Sequence, residues 1–237
     1  MVEDTKEATG SFFKLTNPDG TAFHDGTTRY ELGKTVRKRK CVDPELCTST
    51  VLHASRKLMG ALKYAKVPLA IWKVEGVPVV SDDYKDGFFS LTVREKIEPS
   101  DELLGFRYHE ACHPVNPMLI QNDITDADIS DLRSWTSVWA SVRNSVRASV
   151  WASVGDSVGD SVWDSVGDSV EAYIGSLFPG IVKWKYVKHD KGIYPFESAA
   201  RLWKRGFVSA KIGTKWHLYG WRDGNAVSLY QQTEEGF

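Results

Sequence analysis

Residues His109-Glu110-Ala111-Cys112-His113 match the H-E-x-x-H pattern. In that pattern a helix turns two imidazoles to one side to hold zinc, and the glutamate acts as general base. The spacing fits, but the surroundings do not. Pro114 follows the second histidine directly and disfavours helical geometry at His113. The segment sits in a proline-rich stretch, and the third ligand is left to Asp123 or Asp126. His109 and His113 are thus the candidate metal ligands, and the expectation is that no metal is held and no cofactor is used. His53, in Leu52-His53-Ala54-Ser55, lies at a predicted strand-to-helix junction and is the candidate ligand-binding residue. Cys47 and Ser49 are near it in sequence, yet they do not complete a set of nucleophile, base and orienting group. Lys34 and Arg37-Lys38-Arg39-Lys40 form a basic cluster suited to phosphates. Asp43 and Glu45 follow closely and no aromatic residues are interleaved for base stacking, so the cluster reads as a solvated loop and nucleic acid is not the expected partner.

The elements that must position these residues fall into several parts. Residues 1–10 read as a flexible leader, polar and acidic, unlike a signal or transit peptide. Residues 11–99 read as a mixed α+β domain. A strand through Phe12, Phe13 and Leu15 ends in the turn Asn17-Pro18-Asp19-Gly20. A short strand is predicted at Arg29-Tyr30-Glu31-Leu32. A helix over 55–66 places Leu58, Leu62 and Ala65 on one face with Ser55 as N-cap. Strands over 69–75, 77–81 and 88–97 follow, the last with Phe89, Leu91 and Val93 alternating against Phe88, Ser90 and Thr92. Residues 100–124 read as an irregular connector, and Thr125-Asp126 as a helix start.

Residues 125–178 hold the clearest feature. Ser-Val recurs every four residues from 137 to 169. The next position accepts Trp, Arg, Gly and Glu, which no fixed buried environment tolerates. It is therefore predicted to face solvent, Trp139, Trp151 and Trp163 included. Val138, Val142, Val146, Val150, Val154, Val158, Val162, Val166 and Val170 are the predicted inward core of the repeat. On a straight helix each Val would advance by about 40°, carrying the stripe around the axis. A small β-solenoid of three-sided coils keeps every Val inside and is the first expectation. A long or broken α-helix is the alternative, because both flanks show helical spacing. Residues 173–178 look like a short cap.

Residues 179–237 read as a small aromatic-rich α+β domain. It is predicted to hold a strand over 181–187, a helix from Pro195 to Lys204, three further strands and an Asp223-Gly224 hairpin turn. Trp203, Phe207, Trp216, Leu218 and Tyr230 are its predicted core.

The formal charge of −1 gives no global attraction to nucleic acid or anionic membranes, and no apolar run is long enough for a membrane span. Three cysteines without a CxxC pair argue against a disulfide framework and point to the cytoplasm.

Phe13-Lys14-Leu15-Thr16-Asn17, Leu46-Cys47-Thr48, Leu52-His53-Ala54, Trp72-Lys73-Val74-Glu75-Gly76 and Val80-Ser81-Asp82 resemble the N-terminal domain of an uncharacterised family of phages, prophages and gut bacteria. Its members join such a domain to low-complexity tetrad repeats. The segments Tyr173-Ile174-Gly175-Ser176-Leu177-Phe178 and Tyr194-Pro195-Phe196, with Leu202-Trp203, are similar to the ends of such proteins. The resemblance implies this architecture and a viral or mobile-element origin, in a bacterial host cytoplasm, and no activity. The resulting expectation is a non-enzymatic structural or interaction protein. Its repeat would serve as spacer or scaffold, with a protein partner or self-association. The alternatives are a ligand-binding or transferase-like domain in 11–99 with its site near His53, and a metal-dependent hydrolase at His109 and His113.

Overall fold

The computed structural model describes residues 10–150 and 167–233. The chain forms two compact units, Met1–Leu104 and Gly105–Phe237. Both combine helices with antiparallel sheets, so the fold class is α+β.

In the first unit the strands are β1 (Gly10–Thr16), β2 (Thr35–Arg37), β3 (Leu52–Ala54), β4 (Ala70–Gly76), β5 (Val80–Ser81), β6 (Asp86–Phe88) and β7 (Ser90–Ile97). The helices are α1 (Leu58–Leu62) and α2 (Asp101–Leu104). Four strands form an antiparallel sheet in the order β1-β4-β7-β2, and three form a second in the order β3-β6-β5. β1 touches both, because Phe13 also bridges Ser55. The core lies where alternate residues of the two sheets meet: Phe12, Trp72, Val74, Leu91 and Val93 from the first, Leu52, Ala54 and Phe88 from the second. Phe12 meets Phe88 edge to face, with ring centroids 4.7 Å apart. Burying the Trp72 indole leaves its N–H in need of an acceptor, and Thr16 Oγ1 supplies it at 2.8 Å. The predicted turn at Gly20 is present. Its φ is +87°, and a Cβ there would lie 2.5 Å from the Tyr30 carbonyl oxygen, so only glycine fits.

Several local expectations are corrected. Residues 29–32 do not form a strand beyond the single bridge of Arg29 to Thr21; instead Tyr30 is buried, and β2 pairs with β7. The strand expected over 88–97 breaks at Phe89, which turns Phe88 into the core. The helix is shorter than 55–66 because Ser55 is taken by the bridge to Phe13, and Lys57 is the N-cap without a side-chain hydrogen bond.

In the second unit the helices are α3 (Tyr108–Cys112), α4 (Asp126–Thr136), α5 (Val142–Ser149), α6 (Asp168–Ser176) and α7 (Glu197–Lys204), followed by β8 (Val208–Ile212), β9 (Lys215–Arg222) and β10 (Asn225–Thr233). The three strands form a meander in the order β10-β9-β8. Asp223 and Gly224 both have positive φ, the geometry of a two-residue hairpin turn. Thr125 and Asp128 form a capping box at the start of α4, as Thr125-Asp126 led one to expect. Residues 100–124 are not an irregular connector: they carry α2, α3 and a 3-10 turn at Pro117–Leu119, and Phe106, Tyr108 and Ala111 are buried. Residues 181–187 form no strand, although Trp184 is buried there. Tyr230 is half-buried rather than core, with Trp221 buried instead.

Where the repeat is described it is helical: a 3-10 turn at Trp139–Ser141, then α5, and the first residues of α6. Val142, Val146, Val150 and Val170 are buried as predicted, and Val138 is half-buried. Val154, Val158, Val162 and Val166 lie outside the described residues, as do Trp151 and Trp163; the described part of the repeat, 137–150 and 167–172, is helix and turn rather than the expected β-solenoid. Trp139 is half-buried rather than exposed. Its ring sits edge-on to Trp216 at 5.6 Å, with the Lys211 ammonium over its face. The serines are more than spacers: Ser145 donates to the Lys185 carbonyl, and Ser169 lies within hydrogen-bond distance of Ser209. At its described ends the repeat is thus part of the second unit's interior.

Candidate functional site

The first unit contains a cavity of about 520 Å³ next to His53. Drug-sized ligands occupy pockets of this size. Its floor is apolar and aromatic, with Phe13, Phe23, Tyr30 and Tyr64 among the lining rings, and its charged lining residues include Lys14, Lys38, Lys85 and Asp25. β1 supplies Lys14, β3 supplies His53, and the turn before β6 supplies Lys85.

Lys14 is half-buried. Burial lowers its pKa to about 8, and the charge of Asp25 opposes that shift. Its Nζ lies 5.1 Å from the centre of the Tyr30 ring, and among the described residues no carboxylate lies within ion-pair distance. Asp25 is committed elsewhere. Its Oδ2 accepts from the Thr28 hydroxyl at 2.6 Å, its Oδ1 accepts from the Thr27 and Thr28 N–H groups, and Lys38 Nζ stands 3.8 Å away. Burial alone would raise the Asp25 pKa, but the Thr28 and Thr27 hydrogen bonds and the Lys38 charge outweigh it and bring it to about 2. Asp25 is therefore an anion fixed by its own loop, and Lys14 is left as a cation facing the cavity.

His53 is half-buried. Burial lowers its pKa to about 4, helped by the charges of Lys14 and Lys85. It is neutral near pH 7, and its Nε2 accepts the Cys47 backbone N–H at 3.0 Å, so the proton sits on Nδ1. This contact holds Cys47 at a φ of 63°, a left-handed backbone that side chains other than glycine seldom adopt. The Cys47 sulfur turns to Lys85, whose Nζ is 2.7 Å away. Lys85 is 8 % exposed and its ammonium also stands 4.3 Å from the centre of the Tyr64 ring. Burial would lower its pKa, but the Cys47 hydrogen bond and the nearby Tyr64, Cys47 and Asp82 raise it on balance, so it stays an ammonium.

The sequence singled out His53 and its neighbour Cys47. The structure brings them together through the main chain, not as base and nucleophile. Ser49 also lines the cavity. Lys14 and Lys85 were missed, because they lie far from His53 in sequence and lysines on a half-exposed strand or turn usually face solvent. Phe13-Lys14-Leu15 carried the only signal: a lysine within an apolar strand. Of the basic cluster, Lys38 alone reaches the cavity; Arg37 belongs to β2, and Lys34, Arg39 and Lys40 are exposed.

The HEACH segment is arranged differently from a zinc helix. α3 ends at Cys112, and His113 has φ −132° and ψ 66°, outside helical geometry, as Pro114 requires. His109 and His113 are both exposed. Glu110 turns to Lys204 instead, with Oε1 2.7 Å from Nζ, and to Arg107 at 3.5 Å. Among the described residues no group of three or more His, Cys, Asp or Glu side chains is placed to hold a metal ion. No described helix is long and apolar enough to cross a membrane.

Comparison with protein-family models, with curated proteins and with solved structures finds no match to this chain.

Proposed function

We propose that the Met1–Leu104 unit binds a small organic anion that carries a flat ring, in the cavity beside His53. The observation that carries this reading is Lys14: a cation with no carboxylate in reach among the described residues, set against an aromatic floor. A half-buried charge drawn from water without a partner is costly, and an anionic ligand supplies the partner. The rings of Phe13, Phe23 and Tyr30 offer stacking and edge contacts to a flat ligand. This reading places the ligand-binding alternative ahead of the purely structural one for the first unit.

For Gly105–Phe237 the structural and interaction reading is retained. Its support is an interior filled with stacked rings and a HEACH segment whose glutamate is engaged by Lys204. Cys41, Cys47 and Cys112 are not joined in disulfides, which supports a reducing, cytoplasmic setting. The resemblance of the chain to phage and prophage proteins supports a mobile-element origin.

The test is fluorescence titration of the full chain with 8-anilino-1-naphthalenesulfonate and with its neutral analogue N-phenyl-1-naphthylamine. The anion is expected to bind with one-to-one stoichiometry, and Lys14→Met should weaken it by roughly tenfold or more, about 1.4 kcal/mol, while the neutral dye is unaffected. Equal affinity of the anion for wild type and Lys14→Met would remove the reading.

A further inference from the structure

A cysteine that lines a ligand-sized cavity, with an ammonium against its sulfur, has the surroundings of a nucleophile. Cys47 meets this description: its residue is exposed, its sulfur lies 2.7 Å from Lys85 Nζ, and both residues line the cavity that Lys14 faces. Cys47 is not a thiol that happens to lie near a charge. Its backbone is held in a left-handed conformation by the hydrogen bond to His53, which fixes where the sulfur can point. His53 is not the base in this arrangement, because its Nε2 lone pair is already occupied by the Cys47 N–H. Lys85 stands at the sulfur instead, as an ammonium that donates to it and stabilises the thiolate. It is held in turn by the Tyr64 ring and by the Asp82 loop, where its N–H donates to Asp82 Oδ1 at 2.7 Å. Lys14 supplies an independent sign of a ligand: a half-buried cation lining the same cavity with no ion-pair partner among the described residues.

We propose that Cys47 is the nucleophile of an acyl-transfer site in this cavity, acting with Lys85 on an activated ester or thioester whose anionic end is held by Lys14. The proposal rests on the anion-binding reading of the cavity. In the step, the Cys47 thiolate, its proton released to solvent and its charge held by the Lys85 ammonium, attacks the acyl carbon. The C–S bond forms as the bond from that carbon to the leaving oxygen or sulfur breaks. The leaving group departs with the electron pair of that bond and takes a proton from the Lys85 ammonium. The products are an S-acyl Cys47, a neutral Lys85 amine and the protonated alcohol or thiol. No oxidant, metal or further reactant is needed. Water or a second nucleophile would then release the acyl group.

The full chain carries its own control. Cys41 is also exposed, and it is not a cavity residue. Mono(4-nitrophenyl) succinate, an anionic activated ester, is the acyl probe. Site-resolved mass spectrometry should find the succinyl group on Cys47, with a burst of nitrophenolate of about one per chain. Iodoacetate and iodoacetamide provide the second measurement. Cys47 should react roughly tenfold faster than Cys41, with iodoacetate favoured over iodoacetamide at Cys47 more than at Cys41. Lys85→Met should bring the Cys47 rate down to that of Cys41. If that variant does not fold, the comparison of the two cysteines in the wild-type chain still decides. A Cys47 that reacts no faster than Cys41, or succinyl found on Lys14 instead, would overturn the proposal. The two readings can fail separately. Slow Cys47 with intact dye binding removes only the nucleophile, whereas fast Cys47 with dye binding indifferent to Lys14→Met removes the anion site beneath it.

Discussion

The two units put aromatic surface to different uses, and they differ in one cation. In the second unit the rings fill the interior. Tyr173 stacks on Trp203 at 5.6 Å, Phe106 on Phe178 at 5.1 Å, and Trp184, Tyr194 and Phe196 meet edge to face. Its buried Asp128 pairs with Arg205 at 2.7 Å, and its half-buried Glu110 with Lys204 at 2.7 Å. In the first unit the rings of Phe13, Phe23 and Tyr64 line an open space, and Lys14 faces it without such a pair among the described residues. A filled, paired interior stabilises a fold, whereas an open cavity with an unmatched cation gives up stability and gains a place for something else to bind.

The largest expected effect is in the filled interior. Trp203 is fully buried, stacks on Tyr173 and donates its indole N–H to the Val115 carbonyl at 2.8 Å. Trp203→Ala should cost about 3–5 kcal/mol in a denaturant melt followed by a probe in the second unit. A loss below about 1 kcal/mol would mean that the interior is not closely packed, and the contrast would collapse.

A smaller effect separates the cavity by pH. Lys14 has a folded pKa of about 8 against an ordinary 10.5, so the unfolded chain binds more protons between those values. Stability should therefore rise as pH climbs from about 8 to 10.5, and that rise should be missing in Lys14→Met. His53, at about 4 against 6.5, gives the same sign lower down: stability falls as pH drops from about 6.5 to 4, and less so in His53→Gln. Parallel pH curves for wild type and each variant would show that neither group is buried as described. A saturating anion should raise the Lys14 pKa and flatten the alkaline slope.

The smallest effect belongs to the repeat. Arg147 follows a Ser-Val pair, is exposed, and lies 3.7 Å from Glu171. Arg147→Ala should change stability by less than about 0.5 kcal/mol, because exposed ion pairs contribute little. A loss above about 1 kcal/mol would mean that the variable position is a structural contact throughout, as Trp139 already is against Trp216.

Much of the organisation was legible in the sequence because it rests on local rules. Gly20 and Asp223-Gly224 announced turns through the backbone freedom of their residues, and both have positive φ in place. Thr125 announced a helix start through its capping side chain. The invariance of Val and the drift of its neighbour in the repeat marked which position is inward, and Val142, Val146, Val150 and Val170 are buried. Pro114 alone was enough to take His113 out of a zinc-binding helix. What the sequence could not reveal is non-local. Trp139 is covered by Trp216, a residue of the distant β9, so tolerance at the equivalent repeat positions did not foretell its surroundings. Residues 29–32 had strand-like composition, but pairing is a property of two strands, and β7 found its partner at Thr35–Arg37. The candidate site divides in the same way. His53 and Cys47 lie six residues apart and could be suspected together. Lys14 and Lys85 lie on β1 and in the turn before β6, and only the meeting of β1, β3 and β6 brings their ammonium groups to one cavity. The chain by itself determined turns, caps and the inward face of its repeat, because each depends on a few neighbouring residues. Tertiary structure alone decided which charges meet, because a cavity is made by segments that the sequence keeps far apart.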